Sequence, residues 1–287
     1  MIFIPDYRVF AVNQYGEYEE VYDGYYVSGE EEQARRERKE IARKVALREA
    51  AQNEYIQKYG HFTFFRYQPV QDNFLGCSVL EVARLFYAST MLPYQSDILT
   101  WKNGKIISVE ALQKLLSVSD STYRRFIIKM QEIEVLKIEN ELVHLNSDIF
   151  SRQHIRKWRG LNQSFIRIYH EAFRYLYEKL DGRQRGKLGY LIKLIPYLNI
   201  QTNIICAVPQ ADHINCIEPL DIQQICVLVG YSSNQASRFL KEMQQIQFED
   251  GQPVFIYNDS DRVAKVNPRL FYGGNIWEDI LREFESS

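Results

Sequence analysis

The 287-residue sequence predicts an α+β chain, mainly helical, in which one helix–turn–helix–hairpin unit occurs twice. Three observations lead there. Groups of residues recur in the same order along two stretches of chain, alternating apolar strands close each stretch, and residues 30–59 form a charged run free of Pro and Gly. The recurrence is the strongest of the three, because several matches kept in order are a poor product of chance. Met91-Leu92-Pro93-Tyr94 returns as Leu194-Ile195-Pro196-Tyr197. Ser119, Arg125-Phe126 and Met130-Gln131 return 113 residues later as Ser232, Arg238-Phe239 and Met243-Gln244. The copies end alike, Asn146 to Ile149-Phe150 against Asn267 to Leu270-Phe271. The offset grows from 103 to 113 to 121, which predicts two insertions in copy two, around 209–213 and around 249–252.

Taken in order, residues 1–29 are a Tyr-rich, acidic arm. Val9–Val12 and the Val21-Tyr22 and Tyr25-Tyr26-Val27 segments read as short strands between Gly turns. The acids Glu30, Glu31 and Glu32 suit the positive end of a helix that continues to Tyr59-Gly60. Its apolar positions are sparse, so it reads as a long exposed helix; arm and helix together offer a homodimer surface. Residues 62–67 read as a strand, completing an accessory region of residues 30–76.

Residues 77–150 form copy one. Val109–Leu116 is its middle helix, Ser117-Val118 a turn, and Ser119 the start of a third helix that runs to about Ile133. Leu136–Glu139 and Leu142–Leu145 alternate about Asn140-Glu141 as a hairpin. Residues 187–275 repeat the order, with a helix over Leu220–Val229, a turn at Gly230-Tyr231, a helix from Ser232, and strands around 254–257 and 262–266. Helix-turn-helix plus hairpin is the pattern of a winged helix, so two tandem winged helix-turn-helix domains are expected. The stretch between them, 151–186, reads as a basic helical linker, with Phe165, Tyr169, Ala172, Phe173, Leu176 and Leu180 on one helical face. A tail helix fits 276–287.

Composition narrows the function. Net charge is −2, so any contact with nucleic acid requires a local basic patch. Such a patch exists. Residues 151–193 sum to +8, and Arg152, Arg156, Lys157, Arg159, Arg183, Arg185 and Lys187 belong to it. No apolar run is long enough for a membrane span, no signal peptide opens the chain, and the four cysteines form no C-x-x-C pair. A reduced, cytoplasmic protein without membrane contact is expected. Phosphate-loop, dinucleotide, nucleophile-elbow and zincin motifs are missing, which argues against an enzyme. Cys206, His213, Cys216 and Cys226 are too loosely spaced for a zinc site, so neither metal nor cofactor is expected.

The third helix of each copy is the candidate DNA reader. In copy one, Phe126, Ile127, Met130 and Ile133 face the core, leaving Ser121, Thr122, Arg124, Arg125 and Lys129 near the outer face. In copy two, Phe239, Leu240, Met243 and Ile246 are core, leaving Ser233, Asn234, Gln235, Ser237, Arg238 and Lys241. Asn and Gln pair with adenine edges and Arg with guanine, while Arg125 and Arg238, each beside a core residue, suit phosphate contact. The wing tips are acidic (Glu141, Asp259, Asp261), with Arg262 and Lys265 as basic exceptions.

The end of copy two, Ala264-Lys265-Val266-Asn267-Pro268 followed by Gly274-Asn275, resembles the close of the winged-helix domain in Firmicute plasmid replication proteins, where the second wing strand runs into Asn-Pro and then Gly-Asn. Ser232 to Met243 is similar to the Ser-x-x-x-x-Ser-Arg recognition helix of bacterial winged-helix regulators. The resemblance covers about 187–275 and more loosely 78–150. It implies double-stranded DNA as partner, with a replication initiator and a phage or mobile-element regulator both open. A protein-interaction scaffold built on the same domains is the alternative from another class.

Overall fold

The structure, a computed structural model, describes residues 9–12, 18–22, 25–26, 29–67, 74, 76–152, 165–211, 213–274 and 277–285. It divides into two compact units, Met1–Lys58 and Tyr59–Ser287.

In the first unit, β1 (Val9–Val12), β2 (Tyr18–Tyr22) and β3 (Tyr25–Tyr26) pair antiparallel in sequence order, with Val12 opposite Tyr18 and Val21 opposite Tyr26. Helix α1 (Gly29–Tyr59) follows. Gln33–Glu37 and Glu40–Lys44 contacts run along it at the four-residue spacing of one helix face, and Ile41 is exposed.

The second unit is built about a four-stranded antiparallel sheet in the order β11-β8-β4-β7. These strands are β4 (Phe62–Arg66), β7 (Phe150–Ser151), β8 (Phe165–Tyr169) and β11 (Phe271–Tyr272). The expected helical face beginning at Phe165 is therefore a strand up to Tyr169, and helix α5 starts only at His170 and ends at Lys179. Apolar residues at 165, 166, 168 and 169 satisfy a strand as well as a helix. The strand wins because Ile166 and Ile168 are buried on one side while the backbone pairs with β4 from Phe62↔Tyr169 to Arg66↔Phe165.

That register is symmetric about the Phe64↔Arg167 pair, and the symmetry extends outward. β4 carries β7, the end of copy one, through Phe65↔Phe150. β8 carries β11, the end of copy two, through Ile168↔Phe271. Each copy thus reaches upstream of its expected start, copy one to β4 and copy two to β8, and begins and ends on adjacent strands of one shared sheet.

Between those strands each copy places a matching set of elements. In copy one they are α2 (Val79–Ser89), α3 (Val109–Leu116), α4 (Asp120–Glu132), β5 (Leu136–Glu139) and β6 (Leu142–Leu145). In copy two they are α6 (Arg185–Lys193), α7 (Ile222–Val229), α8 (Ala236–Gln244), β9 (Phe255–Asn258) and β10 (Val263–Val266). Corresponding residues do the same work. Ser108 caps α3 and Asp221 caps α7 from equivalent positions. The turns after them need a left-handed residue, and Ser117 (φ 53°) and Gly230 (φ 74°) both adopt it. A third segment joins each hairpin: Leu99 N–H donates to Val143 O at 3.0 Å, and Ile205 N–H to Ala264 O at 2.9 Å. Asn146 donates from Nδ2 to Glu134 O and receives Asp148 N–H on Oδ1. Asn267 donates likewise to Pro253 O and receives Arg269 N–H.

Two departures from expectation are local. The third helix of copy two opens with a 3₁₀ turn, Ser233–Gln235, before α8 proper. Its middle helix starts at Ile222, because Asp221 supplies the capping box with Gln224.

Helices α2 and α6 cross closely where Gly186 and Gly189 face Val79. A Cβ on Gly189 would lie 1.9 Å from the Val79 carbonyl oxygen. The core runs continuously through both copies, with Phe86 set against Phe65 (4.7 Å), Phe150 (5.5 Å) and Phe271 (6.3 Å). Helix α9 (Glu278–Glu285) closes the described chain, burying Ile280 and Phe284. No helix among the described residues is long and apolar enough to cross a membrane.

Candidate nucleic-acid interface

Helix α4 is amphipathic in the expected sense. Tyr123, Phe126, Ile127 and Met130 are buried, and Ile133 is half-buried at the C-cap. The opposite face leaves Ser121, Arg124 and Arg125 exposed, with Thr122 and Lys129 half-buried. Tyr123 fixes the angle between the two helices of the turn by donating its hydroxyl to Val109 O at 2.6 Å, and burial pushes its pKa up to about 12.

In copy two, Phe239 and Met243 of α8 are buried with Ile246 beyond them, while Leu240 is only half-buried. Ser233, Asn234, Gln235, Ser237, Arg238 and Lys241 are exposed. The rings of Tyr190, Tyr231 and Phe239 stack edge-on and tilted beneath this end at 5.1–5.7 Å, giving the 3₁₀ turn a stiff base. The structure therefore gathers hydrogen-bonding side chains at the same end of the same helix in both copies, Ser, Thr and Arg in copy one and Ser, Asn, Gln and Arg in copy two.

The charges are less open than the sequence suggests. Arg124 pairs with Asp120 at 3.0 Å and Arg238 with Glu242 at 2.8 Å, both one turn away on the same helix. Lys129 lies 3.6 Å from Glu132. Arg125 donates Nε to Ser121 O at 3.3 Å and, among the described residues, makes no ion pair. Exposed intrahelical pairs of this kind are weak, so a phosphate can displace the carboxylate.

Among its described residues, the basic stretch does not form one face. Arg156, Lys157 and Arg159 lie outside the described residues. Arg183 is exposed and Lys187 half-buried. Arg185 is turned inward: Nε donates to Tyr177 O (2.8 Å) and Leu180 O (3.1 Å), and its guanidinium stacks 4.4 Å from the Tyr177 ring. It closes the C-terminus of α5 rather than facing solvent. Among the cations of the β9–β10 hairpin, Lys265 is held by Glu283 of α9 at 2.6 Å, leaving Arg262 at the tip.

One feature of these faces escaped the sequence reading. Ile128, on the outer face of α4, is 56% exposed, and Val227 of α7 is 65% exposed. The Phe126-Ile127-Ile128 run carried the signal, since three consecutive helix positions span about 200°, wider than one buried stripe.

Cys206 and Cys226 are buried and Cys216 is exposed, and burial pushes the Cys206 and Cys226 thiols up. Among the described residues no three His, Cys, Asp or Glu side chains cluster. Comparisons with protein-family models, with curated proteins and with solved structures find no match.

Proposed function

We propose that the two copies are tandem winged helices and that the chain binds double-stranded DNA in a sequence-specific manner, as a transcription regulator or replication initiator of a phage or plasmid. One observation carries the reading. In both copies the N-terminal end of the helix after the turn is left open to solvent with hydrogen-bonding side chains, while its other face is buried. A recognition helix meets base edges with that end. Asn234 and Gln235 supply the adenine-pairing types, and Arg124, Arg125, Arg238 and Lys241 the guanine- or phosphate-pairing ones. The resemblance of 264–275 to the wing close of plasmid replication proteins points the same way. Reduced thiols and a cytoplasmic setting belong to the same reading, with no catalytic role assigned.

The test is recovery of fragmented genomic DNA on the full chain at low salt, with Arg125→Ala/Arg238→Ala in parallel. Enriched fragments lost in the double variant support it, and their position separates promoter from origin. No enrichment from folded protein overturns it. Exposed Ile128 and Val227 favour a second reading, in which these faces hold a partner protein. Partner binding through apolar contact would survive a rise in salt that releases DNA.

A further inference from the structure

A cavity of about 440 Å³ opens in copy one, bounded by residues 90–94, residues 100–104, the end of β7 and the start of α5. Small-molecule sites commonly measure about 300–1,000 Å³. Its lining is strongly unbalanced in charge. Arg152, Arg174 and Lys102 face a single carboxylate, Glu171. Among the described residues neither guanidinium forms an ion pair within 4.0 Å.

Both guanidiniums are anchored by neutral acceptors. Arg152 donates Nη1 to Leu92 O at 2.9 Å and Nη2 to His61 Nδ1 at 3.2 Å. Arg174 donates Nε to Thr90 Oγ1 at 2.9 Å and Nη2 to Thr90 O. These bonds use fewer than the five N–H donors that each guanidinium carries. His61, accepting at Nδ1, is left to donate from Nε2. His170 sits behind it, held to the Thr63 hydroxyl at 2.8 Å, and burial keeps it neutral. Burial also lowers both arginine pKa values, and the Arg174 charge lowers Arg152 further. Glu171 and Glu178 offset this only in part and only at Arg174. Two like charges half out of water and short of counter-charge are costly, and a bound anion reduces that cost.

The repeat supplies a control. The position of Arg152 in copy one is that of Gly273 in copy two, where a Cβ would meet the Ile200 side chain at 3.1 Å. A side chain would be crowded there, so the Arg152 guanidinium has no counterpart in copy two and is not a by-product of the shared fold.

We propose that this cavity binds a small phosphorylated molecule of the mononucleotide class. Arg152, Arg174 and Lys102 take the phosphate, and Trp101 and Tyr94, which also line the cavity, receive a planar base. The volume exceeds what a bare phosphate fills, which is why a ring is included. Arg152 also belongs to the basic stretch 151–193, but none of these side chains lies on α4 or α8, and the duplex arm of the test separates the two uses.

The test is calorimetric titration of the full chain at constant ionic strength with AMP, with inorganic phosphate and with a short DNA duplex. The expected result is saturable AMP binding, weaker phosphate binding, and loss of about tenfold or more in AMP affinity in Arg152→Gln and in Lys102→Glu. Lys102 anchors no backbone group, so its variant keeps the test valid if Arg152→Gln misfolds. Three results overturn the proposal: no AMP saturation up to about 10 mM, AMP affinity unchanged in both variants, or phosphate binding as tightly as AMP. Duplex affinity that falls in Lys102→Glu while AMP fails to bind would assign the phosphate to bound nucleic acid and equally overturn it.

Discussion

Gly189 stands where α2 and α6 cross, and replacing it with Ala tests the packing that joins the two copies. The added Cβ would lie 1.9 Å from Val79 O and 2.7 Å from Val79 Cα, all backbone, so no side chain can swing aside. The helices must separate by roughly 1 Å or more to restore contact distance. Alanine is the better helix former by about 1 kcal/mol, which offsets part of the cost. Overpacking against backbone costs more than the usual 1–3 kcal/mol, so the net loss is about 3 kcal/mol. In a unit of this size that lowers Tm by roughly 6–12 °C. Thermal unfolding followed by circular dichroism measures it. Gly182→Ala is the control, because nothing lies within 4 Å of its Cβ position. Its Tm should stay near the parent value. A Gly189→Ala protein with Tm within about 1 °C of the parent would refute the close crossing.

Asn267 is fully buried and holds two backbone groups, so Asn267→Ala should cost about 2 kcal/mol in urea unfolding. Asn146→Ala, at the half-buried counterpart, should cost less; equal losses would contradict the burial difference. Arg125→Ala/Arg238→Ala should reduce the salt dependence of DNA affinity by about two counterions, whereas Lys265→Ala, already committed to Glu283, should leave the slope unchanged. A fall in slope for Lys265→Ala would place the β9–β10 hairpin on the DNA backbone after all. Tyr123 has its pKa raised from 10.0 to about 12, so the native state holds the proton longer than the unfolded chain. Its contribution to stability is complete below pH 10 and declines as pH rises toward 12. Alkaline titration of unfolding in the parent and in Tyr123→Phe should show that part of the decline removed.

The sequence revealed those parts of the fold that rest on local chemistry. Asn140-Glu141 with φ 49° and 63° makes the tight two-residue turn that the flanking alternation requires, and the hairpin falls on the expected residues. Val109–Leu116 is legible because Ser108 caps it and its apolar spacing is helical. β8 was hidden because its partner β4 lies a hundred residues earlier, and an apolar run at 165–169 serves either period. The candidate interface divides the same way. Exposure of Arg124, Arg125 and Arg238 follows from position on an amphipathic helix. The fate of Arg185 and Lys265 depends on the Tyr177 carbonyl and the Glu283 carboxylate, partners that no spacing rule brings near. The cavity cations come from three separate segments and leave no pattern at all.

The shared sheet gives a single chain a freedom at its centre that two identical chains would lack. The symmetric register of β4 and β8 puts equivalent residues of the two copies opposite each other at Phe64 and Arg167. Two identical chains meeting in this register would have to place Phe against Phe or Arg against Arg, and the second arrangement sets like charges face to face. Fusion lets the copies differ at this point. Arg167 lies 5.5 Å from the Phe62 ring and 5.6 Å from the Phe64 ring, and donates Nη1 to Gly274 O at 2.5 Å. The cation takes aromatic faces from copy one and a backbone carbonyl from the end of copy two. The residue at the symmetry centre is thus one that only unequal copies can use, and the same inequality sets a guanidinium at 152 where copy two has Gly273.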